Sequence, residues 1–214
     1  MTTACTIALI RHFPTDWNGE RRMQGHIDRP LTDAARARLA GLALPPAWAG
    51  AAVVASPLSR AAETARFLAD GRPIRVDPRL MELSWGAWEG KRSDEVPKAP
   101  DGAPLVHRLG WRGRPPGGES AADGWARVLP ALARLARGGD PAVVVTHKAL
   151  MRVILGQGCG WSGPDAGTVE IKRGRLYRVD LASDGTPSTD PDAPPDRLVP
   201  RASELTKAMA MAEP

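Results

Sequence analysis

Two histidines stand where strands should end. His12 follows the apolar run Thr6–Ile10, directly after Arg11, and His147 follows Ala142-Val143-Val144-Val145-Thr146. Arg60 comes shortly after a third apolar run, Ala51–Ser56, and Glu82 lies a few residues beyond a fourth, Pro73–Val76. If these runs are neighbouring parallel strands, their C-terminal ends share one rim, the edge at which open α/β sheets bind ligands. Two imidazoles, two guanidiniums and a carboxylate gathered there suit a phosphoryl group. The guanidiniums pair with its oxygens, a neutral imidazole attacks phosphorus, and the acid protonates the departing oxygen. Attack needs that imidazole without its charge, and nearby Arg residues disfavour imidazolium.

The elements that must position these groups alternate strand and helix. The fold class this predicts is α/β, a three-layer α/β/α sandwich with a mostly parallel central sheet. Thr32 reads as the N-cap of a helix reaching about Leu44, stopped by Pro45-Pro46. Further helices are expected over Leu58–Asp70, over Ala121–Arg137 with a kink at Pro130, and over Lys148–Leu155. Thr168–Ile171 and Leu176–Leu181 resemble a hairpin about Gly174. Lys91–Gly118 is rich in Pro, Gly and charge, and reads as an irregular excursion. From Ser183 to Pro200 apolar residues nearly vanish. The expected organisation is therefore one domain over 1–182 and a flexible Pro/Asp-rich tail over 183–214, which closes with a short amphipathic stretch at Ser203–Met211.

Composition narrows the function. The net charge of +5 and 29 basic residues raise the question of nucleic acid. The cations, mostly Arg, are scattered rather than clustered, and no zinc-finger spacing occurs, so an anionic small molecule accounts for them better. Cys5 and Cys159 are far apart and fit no metal pattern, which suggests free thiols in a reducing compartment. The N-terminal apolar run is too short for a signal peptide, and no stretch approaches a membrane span. The expectation is a cytoplasmic protein with no nucleic-acid or membrane partner; a homodimer is left open.

Arg11-His12, Ser56-Pro57-Leu58-Ser59-Arg60-Ala61-Ala62-Glu63-Thr64-Ala65, Leu83-Ser84-Trp85-Gly86-Ala87-Trp88-Glu89-Gly90 and Val143-Val144-Val145-Thr146-His147 together resemble the histidine phosphatase (phosphoglycerate mutase-like) superfamily. The resemblance covers about Thr6 to Leu181 in the family's order. It implies His12 as the nucleophile that forms a phosphohistidine. It also implies that Arg11, Arg60 and His147 hold the phosphoryl oxygens, and that Glu82 is the general acid and then the base for water. Thr15 and Asn18 match positions that hydrogen-bond the phosphate, and Gln24 a substrate-side contact. No metal or other cofactor is implied. The substrate class is a small phosphorylated metabolite.

Two positions depart from the family. Phe13 and Lys148 each replace a Gly; the ring could narrow the pocket, and the ammonium could meet a second anionic group. Two other functions compete with a phosphatase. A cofactor-dependent phosphoglycerate mutase would share the chemistry, but Leu83-Ser84-Trp85-Gly86 stands where mutases carry Arg-His-Tyr-Gly. A catalytically weak phospholigand-binding protein would keep only the Arg clamp. Glu89, close to Glu82, is expected to fix the loop, His26 and His107 to be exposed, and the Trp residues to pack.

Overall fold

Strand β1 (Cys5–Arg11) serves two cores at once. Its side chains alternate, so Ile7 and Leu9 enter one apolar cluster while Ala8 and Ile10 enter another. The computed structural model describes residues 2–100, 109–160, 170–190 and 192–201. After β1 come the one-turn helix α1 (Asp16–Gly19), α2 (Asp33–Ala40), β2 (Leu42–Ala43), β3 (Ala52–Ala55), α3 (Ser59–Ala69) and β4 (Ile74–Val76). The chain continues through α4 (Ala121–Gly138), β5 (Ala142–Thr146), α5 (Lys148–Gly158) and β6 (Arg175–Leu181). It closes with the two-residue strands β7 (Pro187–Ser188), β8 (Asp196–Arg197) and β9 (Val199–Pro200).

The main sheet has the order β4-β3-β5-β1-β6-β7, with β8 also paired to β6. β4, β3, β5 and β1 are parallel; β6 runs antiparallel to β1, and β7 and β8 antiparallel to β6. Helices α4 and α5 pack on the face reached by Ile7 and Leu9. Helices α2 and α3 cover the other. β5 is buried along its whole length, as a central parallel strand covered on both faces must be. The three-layer, mostly parallel α/β/α architecture read from the sequence is the one found.

Local expectations fare unevenly. Thr32 caps α2 by accepting from Ala35 N at 3.1 Å, but the helix stops at Ala40 instead of about Leu44. Gly41 is its C-cap, and Leu42–Ala43 is used to pair with β9. Helix α4 runs unbroken through Pro130. The hairpin partner expected near Thr168–Ile171 lies partly outside the described residues, and Glu170–Ile171 form no strand; β6 pairs with β1 instead. Ser183–Asp190 and Asp192–Pro200, read as part of a flexible tail, fold back over the molecule. Leu198 is buried in the second core, Trp48 Nε1 donates to Asp196 at 2.9 Å, and β9 pairs with β2. One buried Leu and backbone pairing do there what an apolar run would do elsewhere. The amphipathic stretch Ser203–Met211 and His107 lie outside the described residues. Among those described, no helix is long and apolar enough to cross a membrane.

Candidate active site

Strand register brings the two histidines together. Arg11 pairs with Thr146 across β1 and β5, and His12 N donates to Thr146 O at 2.9 Å. The next residue on β5 is His147, so both imidazoles emerge side by side at the C-terminal rim. Their ring centroids are 5.1 Å apart, tilted by 53°. On the other side of β5, Ser56 N donates to Val145 O at 3.1 Å, which places Ser56 beside His147. Arg60, in the first turn of α3, arrives from that same strand end.

Each imidazole is held in one orientation. His12 Nδ1 lies 2.7 Å from Phe13 O, an acceptor only, so Nδ1 carries the proton and Nε2 keeps its lone pair. Burial, and then the charges of Arg60 and Arg11, push His12 well below the ordinary histidine value. His147 is depressed likewise, by burial, Arg60, His12 and Arg11. Its Nε2 is 2.8 Å from Ser56 Oγ. Ser56 Oγ also accepts from Leu58 N at 3.3 Å, and its one proton is placed to go to His147 Nε2. That leaves the His147 proton on Nδ1, which is buried with no partner among the described residues.

Arg60 is almost fully buried, at 1% exposure. Its Nη1 and Nη2 donate to Ile27 O (3.1 Å) and Gly25 O (2.8 Å), while Nε has no partner. Burial lowers its pKa, opposed by Glu82. Gly25 is needed here: it adopts φ +53°, and a Cβ would fall 2.0 Å from Glu89 Oε1. Glu89 is not a rival to Glu82. It accepts from His26 N, Ile27 N and Trp85 N at 2.9–3.0 Å and ties the two loops together.

Glu82 sits at the N-terminus of α5. Its Oε1 accepts from Leu83 N (3.0 Å) and Leu150 N (2.9 Å), and Oε2 from Ala149 N (3.1 Å). Free amides of a helix's first turn are natural partners for an anion. Oε1 has both lone pairs engaged and Oε2 only one, so a proton on this carboxyl belongs on Oε2. The backbone around it is clamped by Arg127 of α4. Arg127 donates to the carbonyls of Arg79, Met81 and Glu82 at 2.8–3.1 Å and to Glu119 at 2.8 Å. His26, exposed as expected, also touches this loop, with Nε2 2.8 Å from Glu82 O.

Arg11, His12, Asn18, Gln24, Arg60, Glu82 and Lys148 all line one cleft of about 300 Å³; His147 lies beneath it against His12. Trp17, Trp85, Arg21, Arg22 and Arg152 complete much of its wall. Thr15 is a correction: it is not on the cleft wall. Its N and Oγ1 donate to Asn18 Oδ1 at 2.9 and 3.3 Å, so it fixes the turn that presents Asn18, whose Nδ2 remains free of that bond. Gln24 Oε1 is buried without a partner. Phe13 does not narrow the pocket; it turns into the core with Leu31, Ala35 and Leu39. Trp85 lines the cleft instead of only packing. Sequence reasoning missed Ser56, Arg127, Arg152 and Arg173, and only the Arg152 spacing, four residues after Lys148, offered a local signal. Among the described residues no group of three or more His, Cys, Asp or Glu could hold a metal ion.

Comparison with known proteins agrees with this geometry. Residues 7–189 match the histidine phosphatase superfamily (branch 1). The chain is 36% identical over 160 residues to the glucosyl-3-phosphoglycerate phosphatase of Mycolicibacterium vanbaalenii, covering 69% of this chain and 71% of that protein. It is 36% identical over 168 residues to a protein of Enterobacter sp. (strain 638) named "Probable phosphoglycerate mutase GpmB", covering 70% and 74%. The structure of a mycobacterial glucosyl-3-phosphoglycerate phosphatase in complex with VO3 superposes with a TM-score of 0.69 at 27% identity, over 82% of this chain and 92% of that one. The family match runs through every strand end that carries a site side chain, and this chain belongs to branch 1 of the histidine phosphatase superfamily.

Proposed function

We propose that this protein is a phosphatase that hydrolyses small phosphate monoesters in two steps, through a phosphohistidine at His12. In the first step His12 Nε2 attacks phosphorus, the bond to the leaving oxygen breaks, and Glu82 gives that oxygen its proton. Arg11, Arg60 and the Nδ1–H of His147 hold the three remaining oxygens as charge shifts onto them. In the second step Glu82 takes a proton from water, the water oxygen attacks phosphorus, and the phosphorus–nitrogen bond breaks to release phosphate. Asn18 and Gln24 meet the substrate from the loop side. Thr15 contributes by holding Asn18 in place. The reaction uses no metal. A cytoplasmic setting fits both a phosphorylated metabolite and the free thiols of Cys5 and Cys159.

The observation that carries this reading is the hydrogen bond from His12 Nδ1 to Phe13 O, since it leaves the lone pair on the nitrogen that faces the rim. A phosphate-release screen over a panel of phosphorylated metabolites tests it, with His12→Ala alongside. The expected result is turnover by the native chain and none by the variant. Phosphate release persisting in His12→Ala would remove His12 as nucleophile. A second reading, phosphoglycerate mutase, is favoured by the 36% identity to the mutase-named Enterobacter protein. Incubation with 2- or 3-phosphoglycerate separates the two: a phosphatase yields free phosphate, a mutase the other isomer.

A further inference from the structure

The cleft holds more positive charge than one phosphoryl group needs. Arg11, Arg21, Arg22, Arg60, Lys148 and Arg152 line it, and among the described residues Glu82 is the one carboxylate on its wall. Several Arg side chains elsewhere on the chain are paired with carboxylates: Arg79 with Asp77 at 2.6 Å, Arg36 with Glu63 at 3.0 Å and Arg127 with Glu119 at 2.8 Å. Within the cleft Arg22 is paired too, with Glu20 at 2.6 Å. Lys148 and Arg152 share the cleft with Arg11 and Arg21, which make no ion pair among the described residues either. Lys148 and Arg152 stand on successive turns of α5 and so on one face, and neither has an ion pair among the described residues. Arg152 Nε is buried with no partner among the described residues.

A third cation stands behind His12. Arg173, from the segment leading into β6, donates Nε to His12 O at 3.1 Å, while its Nη2 is buried with no partner among the described residues. The three guanidinium and ammonium groups come from two distant parts of the chain, and Lys148 feels the charge of both of the others. Burial, then Arg152, Arg11 and Arg173, lower the Lys148 value; burial and Arg11 lower Arg173 to about 10. Glu82 opposes the lowering of both Lys148 and Arg152 but does not cancel it, and like charges crowded around a single carboxylate are costly in a half-buried site. An anion seated among them removes that cost.

We infer that Lys148 and Arg152, backed by Arg173, form a second anion subsite next to the phosphoryl cradle, so that the preferred substrate is a phosphomonoester carrying a second anionic group. That group is a carboxylate or a second phosphate, a few bonds from the phosphate that is removed. The inference rests on the phosphatase reading above for its turnover assay but not for its binding assay. Lys148, which departs from the family's small residue, thereby gains a function, and Arg152 gains one that its sequence position did not announce.

The test compares matched pairs. Glycerol 3-phosphate and 3-phosphoglycerate differ by a carboxylate; fructose 6-phosphate and fructose 1,6-bisphosphate differ by a phosphate. The native protein should favour the more anionic member of at least one pair by about tenfold or more in kcat/KM, the scale of a charge-assisted contact. Lys148→Met and Arg152→Gln should each shrink that ratio several-fold, chiefly through KM. Equal kcat/KM within both pairs overturns the subsite, as does a preference that survives both substitutions. If none of the four compounds is turned over, the phosphatase reading is decided by the metabolite panel above and not by this comparison. Calorimetric affinities of the same pairs for the native protein then decide the subsite by the same ratio.

Discussion

Ser56 does for His147 what the Phe13 carbonyl does for His12: it decides which ring nitrogen carries the proton. In each case the bond leaves the nitrogen near the rim in the state the chemistry requires, a lone pair on one ring and a donor on the other. Replacing Ser56 by Ala frees His147 to flip its tautomer without emptying the cradle. Ser56→Ala is expected to lower kcat roughly tenfold, about 1.4 kcal/mol of transition-state stabilisation, with KM little changed. A loss confined to KM would show that His147 binds ground-state substrate instead. At this scale the sequence was informative where chemistry coincides with a strand end. Arg11, His12 and His147 follow apolar runs directly, and Arg60 and Glu82 lie shortly beyond theirs. It was silent on Ser56, whose partner is 91 residues away, and on Arg173, whose contact with the His12 carbonyl exists only once β6 lies beside β1. Thr15 shows the opposite error, a polar loop residue read as a ligand contact when its bonds are spent on Asn18.

Among the elements, α4 and α5 are the ones that make Glu82 usable. α5 offers it first-turn amides, and α4 reaches across with Arg127 to bind three successive carbonyl-bearing segments of its loop. Glu119 holds the Arg127 guanidinium in place and also accepts from Ser84 N at 2.9 Å. Burial would raise the Glu119 carboxyl, but Arg127 and the Ser84 amide keep it below its usual value. Arg127→Met is therefore expected to lower stability by about 2–3 kcal/mol, the cost of losing charged hydrogen bonds to buried carbonyls, and to reduce kcat as the Glu82 loop loosens. Urea unfolding beside a turnover assay measures both. Unchanged stability would mean that the loop is held by Glu89 alone. Helix and strand identities were legible because their apolar periods are clear, from β5 with five buried residues in a row to α3 and α4 with one apolar face. Boundaries were less so. Gly41, not the Pro45-Pro46 pair, ends α2, because β9 returns to pair with Leu42–Ala43, and no local pattern records the arrival of a strand from the far end of the chain.

Taken whole, the molecule stores two uncharged histidines beneath a positively charged mouth. Both have folded values pulled below the ordinary one, so the unfolded chain binds more protons than the native one as pH drops through about 6.5. Stability should accordingly be full near pH 7 and decline toward pH 5, a window above the range in which carboxylates titrate. A melting temperature that stays level or rises from pH 7 to pH 5 would mean that the imidazoles take up protons in the folded state. The same global view explains Ser183–Pro200: its Pro, Asp and Thr content hides a return path whose anchors are Leu198 and Asp196. The account depends most on one anion lying between the paired imidazoles and guanidiniums. A crystal of the protein soaked with vanadate examines that directly. The expected result is vanadium within bonding distance of His12 Nε2, with Arg11, Arg60 and His147 Nδ1 around its oxygens. Vanadate bound away from His12, or held there by groups that leave Nε2 facing elsewhere, would contradict it.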